Sequence, residues 1–471
     1  MATKRLLTQP AGKKILYVCP ATMRGNVIAE ARRWAPHRSV VDLGQRTKVE
    51  RKVILDLMTQ HPEYVVVLNY EAWRKDLALI DDLIKIEFDT IIIDEAHNIK
   101  DTKSIGYRGI KRLITEGQIP FVIPMTGSPI LNKPQELFAL LSLVDPNTFW
   151  SERNFLQNYC LQDYDTKKWY FRPGGLESLA KRITPQFLRR TKEQAGIKLP
   201  PKTISIHEIM IDEELYPEQA RCRNEMRKWG SIILDAEEGK AISAAAIIAV
   251  YTRLRQIETW PDGIKITDPK THEVVLQVKC GESQKIDYII HSNGDTEGLL
   301  PEIVADERVV IFSQFKEPLR ELHRRCEKAG IKSIVLDGDT PSNIREEIRR
   351  DFDLRETPDR ANSKWDVVLC NYKVGGIGLN FTAATQMIVV DEEWNPGKRD
   401  QAYDRIHRIG QDKPVTIHVL RCRLPVKGYE SAGIDMWLAG IIAEKESLVA
   451  GFNEATDLAA AGKEALDKGW I

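Results

Sequence analysis

Residues whose types and spacing could do chemistry cluster at a few points along this chain. Ile91–Lys100 reads IIIDEAHNIK, an apolar strand running directly into the adjacent carboxylates Asp94 and Glu95. At the carboxyl end of a parallel strand such side chains face the crevice where ligands bind. One acid there can hold Mg2+, commonly through water, while its neighbour orients or deprotonates an attacking water. Asp also caps helices, so Asp-Glu by itself fits a solvated helix start equally well. Asp400–Gln411, DQAYDRIHRIGQ, sets Arg405 and Arg408 one above the other on an expected helix face. Two guanidiniums so spaced can clamp a transferring phosphate, although the same spacing alone describes an ordinary surface pair. Gly375, Gly376 and Gly378 in KVGGIGLN could let backbone amides approach a phosphate or ribose, or could simply form a turn.

These residues need elements to position them. Short β-branched runs recur with amphipathic stretches between: Ile15–Cys19, Tyr64–Leu68, Thr90–Asp94 and Phe121–Met125. A second set follows at Val309–Phe312, Ser333–Leu336, Asp366–Cys370, Met387–Asp391 and Val415–Leu420. Continuous apolar strands alternating with helices predict an α/β fold with two parallel sheets, each covered on both faces. Between the sets, Glu214–Ile257 reads as largely helical, bounded by the Pro- and Gly-containing stretches Leu199–Thr203 and Thr259–Glu273. Ile434, Trp437, Leu438, Ile441 and Ile442 repeat at helical spacing and predict a final helix. The expected organisation is a first lobe over 1–199, a mainly helical linker over 200–300, a second lobe over 301–425 and a helical tail over 426–471.

Composition bounds the rest. A chain of 471 residues exceeds what one hydrophobic core usually serves. Its 42% hydrophobic and 29% charged residues are ordinary for a globular protein, and no apolar run approaches the length of a membrane span. Lys+Arg and Asp+Glu both number 68, which argues against a surface coated in positive charge but leaves room for a basic groove. The seven cysteines lie far apart with no CxxC pair, so neither a disulfide framework nor a zinc site is expected, and a reducing cytoplasm fits.

The motifs then fall into a recognisable order. IIIDEAHNIK resembles the DEAH box of helicase-like ATPases, and DEEWNP (Asp391–Pro396) followed by DQAYDRIHRIGQ resembles the last motif of Swi/Snf-type ATPases of helicase superfamily two. YVCPAT (Tyr17–Thr22) and VLNYEAW (Val67–Trp73) are similar to that family's early DNA-contacting motifs. TGSPILNKPQELFALLSLVDP (Thr126–Pro146) resembles its TGTP segment, with Ser128 in place of the usual Thr. FLRRTKEQAGIKLPPK (Phe187–Lys202), VVIFSQF (Val309–Phe315), LDGDT (Leu336–Thr340) and CNYKVGGIGLNFTAATQMIVVDEEWNP (Cys370–Pro396) continue the match. The resemblance implies two RecA-like lobes and an ATP- and Mg2+-dependent motor on duplex or branched DNA, with backbone contacts and no base reading. By the same resemblance Asp94 would hold Mg2+ and Glu95 would be the catalytic carboxylate. Arg405 and Arg408 would be arginine fingers, Gln401 an ancillary residue, and Gly376 and Gly378 nucleotide contacts. Thr22, Ser313, Gln314 and Thr382 would lie at DNA phosphates. A bacterial or phage-infected cytoplasm is the implied setting.

One part of that machinery is absent from the sequence. The phosphate-binding loop GxxxxGK[ST] does not occur: Gly12-Lys13, Gly239-Lys240, Gly397-Lys398 and Gly462-Lys463 are none of them followed by Ser or Thr. The first lobe is therefore expected to lack its P-loop strand, leaving a gap or unpaired strand edges. A truncated or split protein, with the P-loop on a separate polypeptide, and an ATP-independent binding remnant are the competing expectations.

Overall fold

A computed structural model describes residues 14–21, 23–44, 46–58, 64–72, 78–127, 129–130, 133–164, 167–190, 192–235, 244–267, 274–291, 298–372, 379–424, 433–436, 438–440 and 442–443. Thr22, Ser128, Gly375, Gly376, Gly378, Trp437, Ile441 and the tail from 444 lie outside these residues. The chain divides into two units, the first running to Arg190 and the second from Thr191 to Glu444.

In the first unit, β1 (Lys14–Cys19), β2 (Ser39–Asp42), β3 (Tyr64–Asn69), β4 (Thr90–Asp94) and β5 (Phe121–Met125) form one sheet of order β2-β3-β1-β4-β5. Every neighbouring pair is parallel, and a separate short antiparallel pair, β6 (Cys160–Gln162) and β7 (Trp169–Phe171), follows in the same unit. Alternate residues of β1 divide between two cores. Leu16 and Val18 pack with Leu68, Ile91 and Ile93 on one face, and Ile15 and Tyr17 with Val65, Val67 and Ile92 on the other. Helix α1 (Arg24–Trp34) buries Val27 and Ala31. Helix α2 (Ile105–Glu116) starts at Ser104, whose hydroxyl accepts from the Tyr107 N–H, and buries Tyr107, Ile110 and Leu113 at helical spacing. Helix α3 (Pro134–Val144) begins with proline at its first turn and is buried along most of its length. Among the described residues the sheet has no internal gap, and its edge strands are β2 and β5; Phe121 on β5 is 52% exposed.

In the second unit, β8 (Lys202–Met210), β11 (Val309–Ser313), β12 (Ser333–Leu336), β13 (Val367–Asn371), β14 (Gln386–Val389) and β15 (Val415–Arg423) form a parallel sheet of order β12-β13-β11-β14-β15-β8. Val309 and Ile311 face one core, Val310 and Phe312 the other. The stretch expected as a mainly helical linker over 200–300 carries helices together with strands. It opens with β8, which pairs along its whole length with β15, so this segment supplies the edge strand of the second sheet. Helices α4 (Pro217–Asp235), α5 (Ala244–Thr259) and α6 (Gln284–Ile290) follow, with the small antiparallel pair β9 (Lys265–Thr267) and β10 (Val274–Gln277) between the last two. Ile286, Ile289 and Ile290 of α6 belong to the core of the second sheet. Sequence alone placed the junction at 199/200 because Pro and Gly punctuate there. Residues on both sides of it bind the second unit: Lys192 pairs with Asp404 at 2.7 Å, and the Pro200 carbonyl lies 2.8 Å from His407 Nε2.

Candidate active site and nucleic-acid contacts

The acidic pair stands where the apolar strand β4 stops. Asp94 is its last residue, and Glu95 adopts a left-handed backbone (φ 50°, ψ 50°) before a 3-10 turn over Ala96–Ile99. A left-handed backbone is uncommon for a non-glycine residue, and Glu87, Gln118 and Lys167 also adopt it. The turn lets successive carboxylates leave the strand end in different directions. Asp94 accepts from the Tyr17 hydroxyl at 2.9 Å and from the Glu95 N–H at 3.0 Å. Burial pushes its carboxyl pKa up, against the lowering effect of the Tyr17 hydrogen bond. The Tyr70 hydroxyl donates to the Asp94 carbonyl. Glu95 Oε2 lies 3.2 Å from His97 Nδ1, which is 3.5 Å from the Thr126 hydroxyl of the TGS segment. Lys100 pairs with Glu136 on α3 at 2.7 Å and anchors the far end of the turn.

Would this site suit Mg2+? Among the described residues no group of three or more His, Cys, Asp or Glu could cage a metal. Mg2+ keeps several waters and is commonly held by one or two carboxylates, so a half-buried carboxylate with lone pairs left beyond its hydrogen bonds suits it. Asp94 fits that description, and zinc-type coordination does not.

In the second unit, polar groups gather where β11 and β14 end. Asp391, fully buried, accepts from the Ser313 hydroxyl at 2.5 Å and from the Gln314 N–H at 2.9 Å. Its carboxyl pKa is raised by desolvation and lowered in part by Arg255. Asn371 donates to the Gln314 carbonyl at 2.8 Å, and Lys285 of α6 to the Val390 carbonyl at 2.8 Å. Ser313 therefore ties two strand ends together, and its fully buried hydroxyl is not presented to a phosphate. Thr382 is corrected in the same way. It is 2% exposed, and its hydroxyl accepts from the Leu354 N–H at 3.1 Å. Gln314, half-buried, keeps a donor in hand.

The arginines also sit differently from the expectation. Helix α7 covers Lys316–Lys328, and the next labelled helix, α8, covers Pro396–Tyr403 and ends before either arginine. Arg405 and Arg408 lie in the turns that follow, with Arg405 donating to the Leu379 carbonyl at 3.2 Å. Gln411 holds this loop in shape. Its amide donates to the Thr382, Ala384 and Ile406 carbonyls at 3.1, 3.0 and 3.1 Å, while its oxygen accepts from the Asp412 and Lys413 N–H groups. Arg408 is exposed, and Gln401 is half-buried on α8. Tyr17, Tyr70, Arg255 and Gln411 were missed as supporting residues. Only Tyr17, an aromatic hydroxyl inside an aliphatic strand, carried a visible signal.

Comparison with known proteins identifies the family. Residues 4–262 match the SNF2-related domain, more than half of the chain, and residues 295–410 match the helicase conserved C-terminal domain. The chain belongs to the SNF2 family. Among its relatives, this SNF2-family chain is 27% identical over 440 residues to mouse "Chromodomain-helicase-DNA-binding protein 1-like", covering 91% of this chain and 44% of the relative. It is 28% identical over 445 residues to human "SWI/SNF-related matrix-associated actin-dependent regulator of chromatin subfamily A member 1", covering 92% and 39%. The "Uncharacterized ATP-dependent helicase MG018" of Mycoplasma genitalium is 26% identical over 403 residues, covering 86% and 34%. The chain thus spans less than half the length of these relatives. A solved structure, "Sulfolobus solfataricus SWI2/SNF2 ATPase core in complex with dsDNA", matches over 99% of this chain and 88% of that one, at 22% identity and a TM-score of 0.37.

Proposed function

We propose that this chain is the motor region of an ATPase that moves along duplex DNA and remodels what it meets there. The observation that carries the reading is the Asp94–Glu95 turn at the end of β4, left-handed at Glu95 and braced by Tyr17, Tyr70 and His97. Asp94 would hold Mg2+, whose charge would offset that of the phosphates, and Glu95 would orient or deprotonate the attacking water. Arg408, exposed, and Arg405, anchored through Leu379, would supply the cationic fingers. Gln401, Gly376 and Gly378 would be accessory to nucleotide, and Thr22 and Gln314 would contact DNA backbone, branched DNA included. The GxxxxGK[ST] loop that would cradle the phosphates does not occur in this sequence.

The test is hydrolysis of ATP with and without duplex DNA, by this chain and by a form carrying a GxxxxGK[ST] loop. The chain alone is expected to bind duplex without turnover. The loop-bearing form is expected to be stimulated by DNA and silenced by Glu95→Gln or Arg408→Ala. Turnover untouched by both substitutions would overturn the assignment of roles. The missing loop motif also supports a second reading, an ATP-independent DNA- or partner-binding module. That reading wins if the loop-bearing form binds DNA but stays silent.

A further inference from the structure

The helical insertion sends one arginine into the strand-end cluster of the second unit. Arg255, near the end of α5, is 8% exposed. Its Nη1 donates to Gln314 Oε1 at 3.2 Å, its Nη2 donates to the Glu392 carbonyl, and Nη2 lies 3.7 Å from Asp391 Oδ1. Helix α5 is itself locked to α4 by the buried, two-pronged pair of Arg223 with Glu258, at 2.6 and 3.1 Å. Gln219 adds a bond to the Ile257 carbonyl at 2.8 Å.

A glutamine amide has one acceptor end and one donor end, and its surroundings decide which way it turns. Here Arg255 can only donate and the Glu392 carbonyl can only accept. Gln314 Oε1 must therefore face Arg255, and Nε2 faces Glu392, at 2.8 Å. One Nε2 hydrogen is thereby spent, and among the described residues the second meets no acceptor. An anionic phosphate requires a donor, so a flipped amide would present the wrong end. We propose that Arg255 is a positioning residue that fixes the Gln314 amide with its donor end available to the DNA backbone, coupling α5 to DNA binding. The inference rests on the duplex-DNA reading above.

The experiment is binding of a fluorescein-labelled duplex of arbitrary sequence to the full chain by anisotropy, with thermal melting as the control for folding. Arg255→Lys keeps a cation beside Asp391 but cannot bridge Gln314 and Glu392 in a guanidinium's fork. Arg255→Lys and Gln314→Ala are each expected to weaken binding by about tenfold, the worth of one charge-assisted hydrogen bond. The double variant should bind no worse than the weaker single one, because both changes remove the same contact. Gln314→Glu keeps an acceptor for Arg255 but no donor, and is expected to bind at least as poorly as Gln314→Ala. Wild-type affinity in Arg255→Lys or in Gln314→Glu, or losses that multiply in the double variant, would overturn the inference while leaving the DNA reading standing. Failure of the wild-type chain to bind duplex would overturn both.

Discussion

Asp94 occupies a position where a carboxylate is unfavourable for folding. Burial raises its pKa despite the hydrogen bond from Tyr17. A carboxyl whose folded pKa exceeds its unfolded value contributes stability at low pH, and that contribution is lost as pH rises through the folded pKa. At neutral pH the ionised Asp94 therefore works against the fold. Asp94→Asn is expected to melt at or above the wild-type temperature at neutral pH while abolishing turnover in a loop-bearing form. A clearly lower melting temperature would mean that the two hydrogen bonds outweigh desolvation. Active sites commonly hold such trade-offs, because the charge is kept for the ligand and not for the fold.

Among elements, the pairing of β8 with β15 carries a titratable seam. His207 Nε2 lies 2.9 Å from His418 Nδ1, His207 Nδ1 2.8 Å from the Tyr288 hydroxyl, and His418 Nε2 3.0 Å from Gln386 Oε1. Burial pushes the His418 pKa down to about 4, with a further lowering from His207, and burial also lowers that of His207. Both imidazoles are kept neutral in the folded chain. The stability they preserve is present above the ordinary histidine pKa of about 6.5 and is lost as pH falls from there through about 4. Urea midpoints should fall between pH 7 and pH 5, and His418→Gln should flatten that fall. An unchanged slope would place the acid sensitivity elsewhere. A second joint ties α6 to Asp435. Lys285, fully buried, pairs with Asp435 at 2.7 Å. Lys285→Met strands a buried carboxylate and should cost about 3–5 kcal/mol by chemical denaturation. Adding Asp435→Leu should recover much of that loss. A double variant as unstable as the single would show that packing, not the orphaned charge, sets the cost.

At the scale of the whole chain, each unit has its own sheet and its own cores, and the division falls at Arg190–Thr191. The strand β8, only a few residues later, completes the second sheet and covers β15. A fragment spanning 191–444 is expected to melt cooperatively, and one starting at 212, without β8, to lose that transition. Equal melting of the two fragments in circular dichroism would show that the edge strand is dispensable.

The sequence by itself determined the strands, the place of Asp94 at the end of one, and the family, because buried parallel strands require unbroken apolar runs and the motifs sit at their ends. Ile91–Asp94, Val309–Phe312 and Val415–Leu420 are strands in the structure as the pattern predicts. Helical spacing likewise anticipated burial of Leu438 and Ile442. It could not show that β8 crosses from an apparent linker into the second sheet, since KTISIHEIM reads alike as an isolated strand or as an edge. Nor could it show that Ser313 and Thr382 are sealed inside, because a hydroxyl's exposure depends on what packs over it. The partners of Arg255 lie 59 and 137 positions away along the chain, at Gln314 and Glu392. Local sequence periodicity carries no information at that range. Only the folded backbone, by bringing the ends of α5, β11 and β14 together, decided which polar groups face one another.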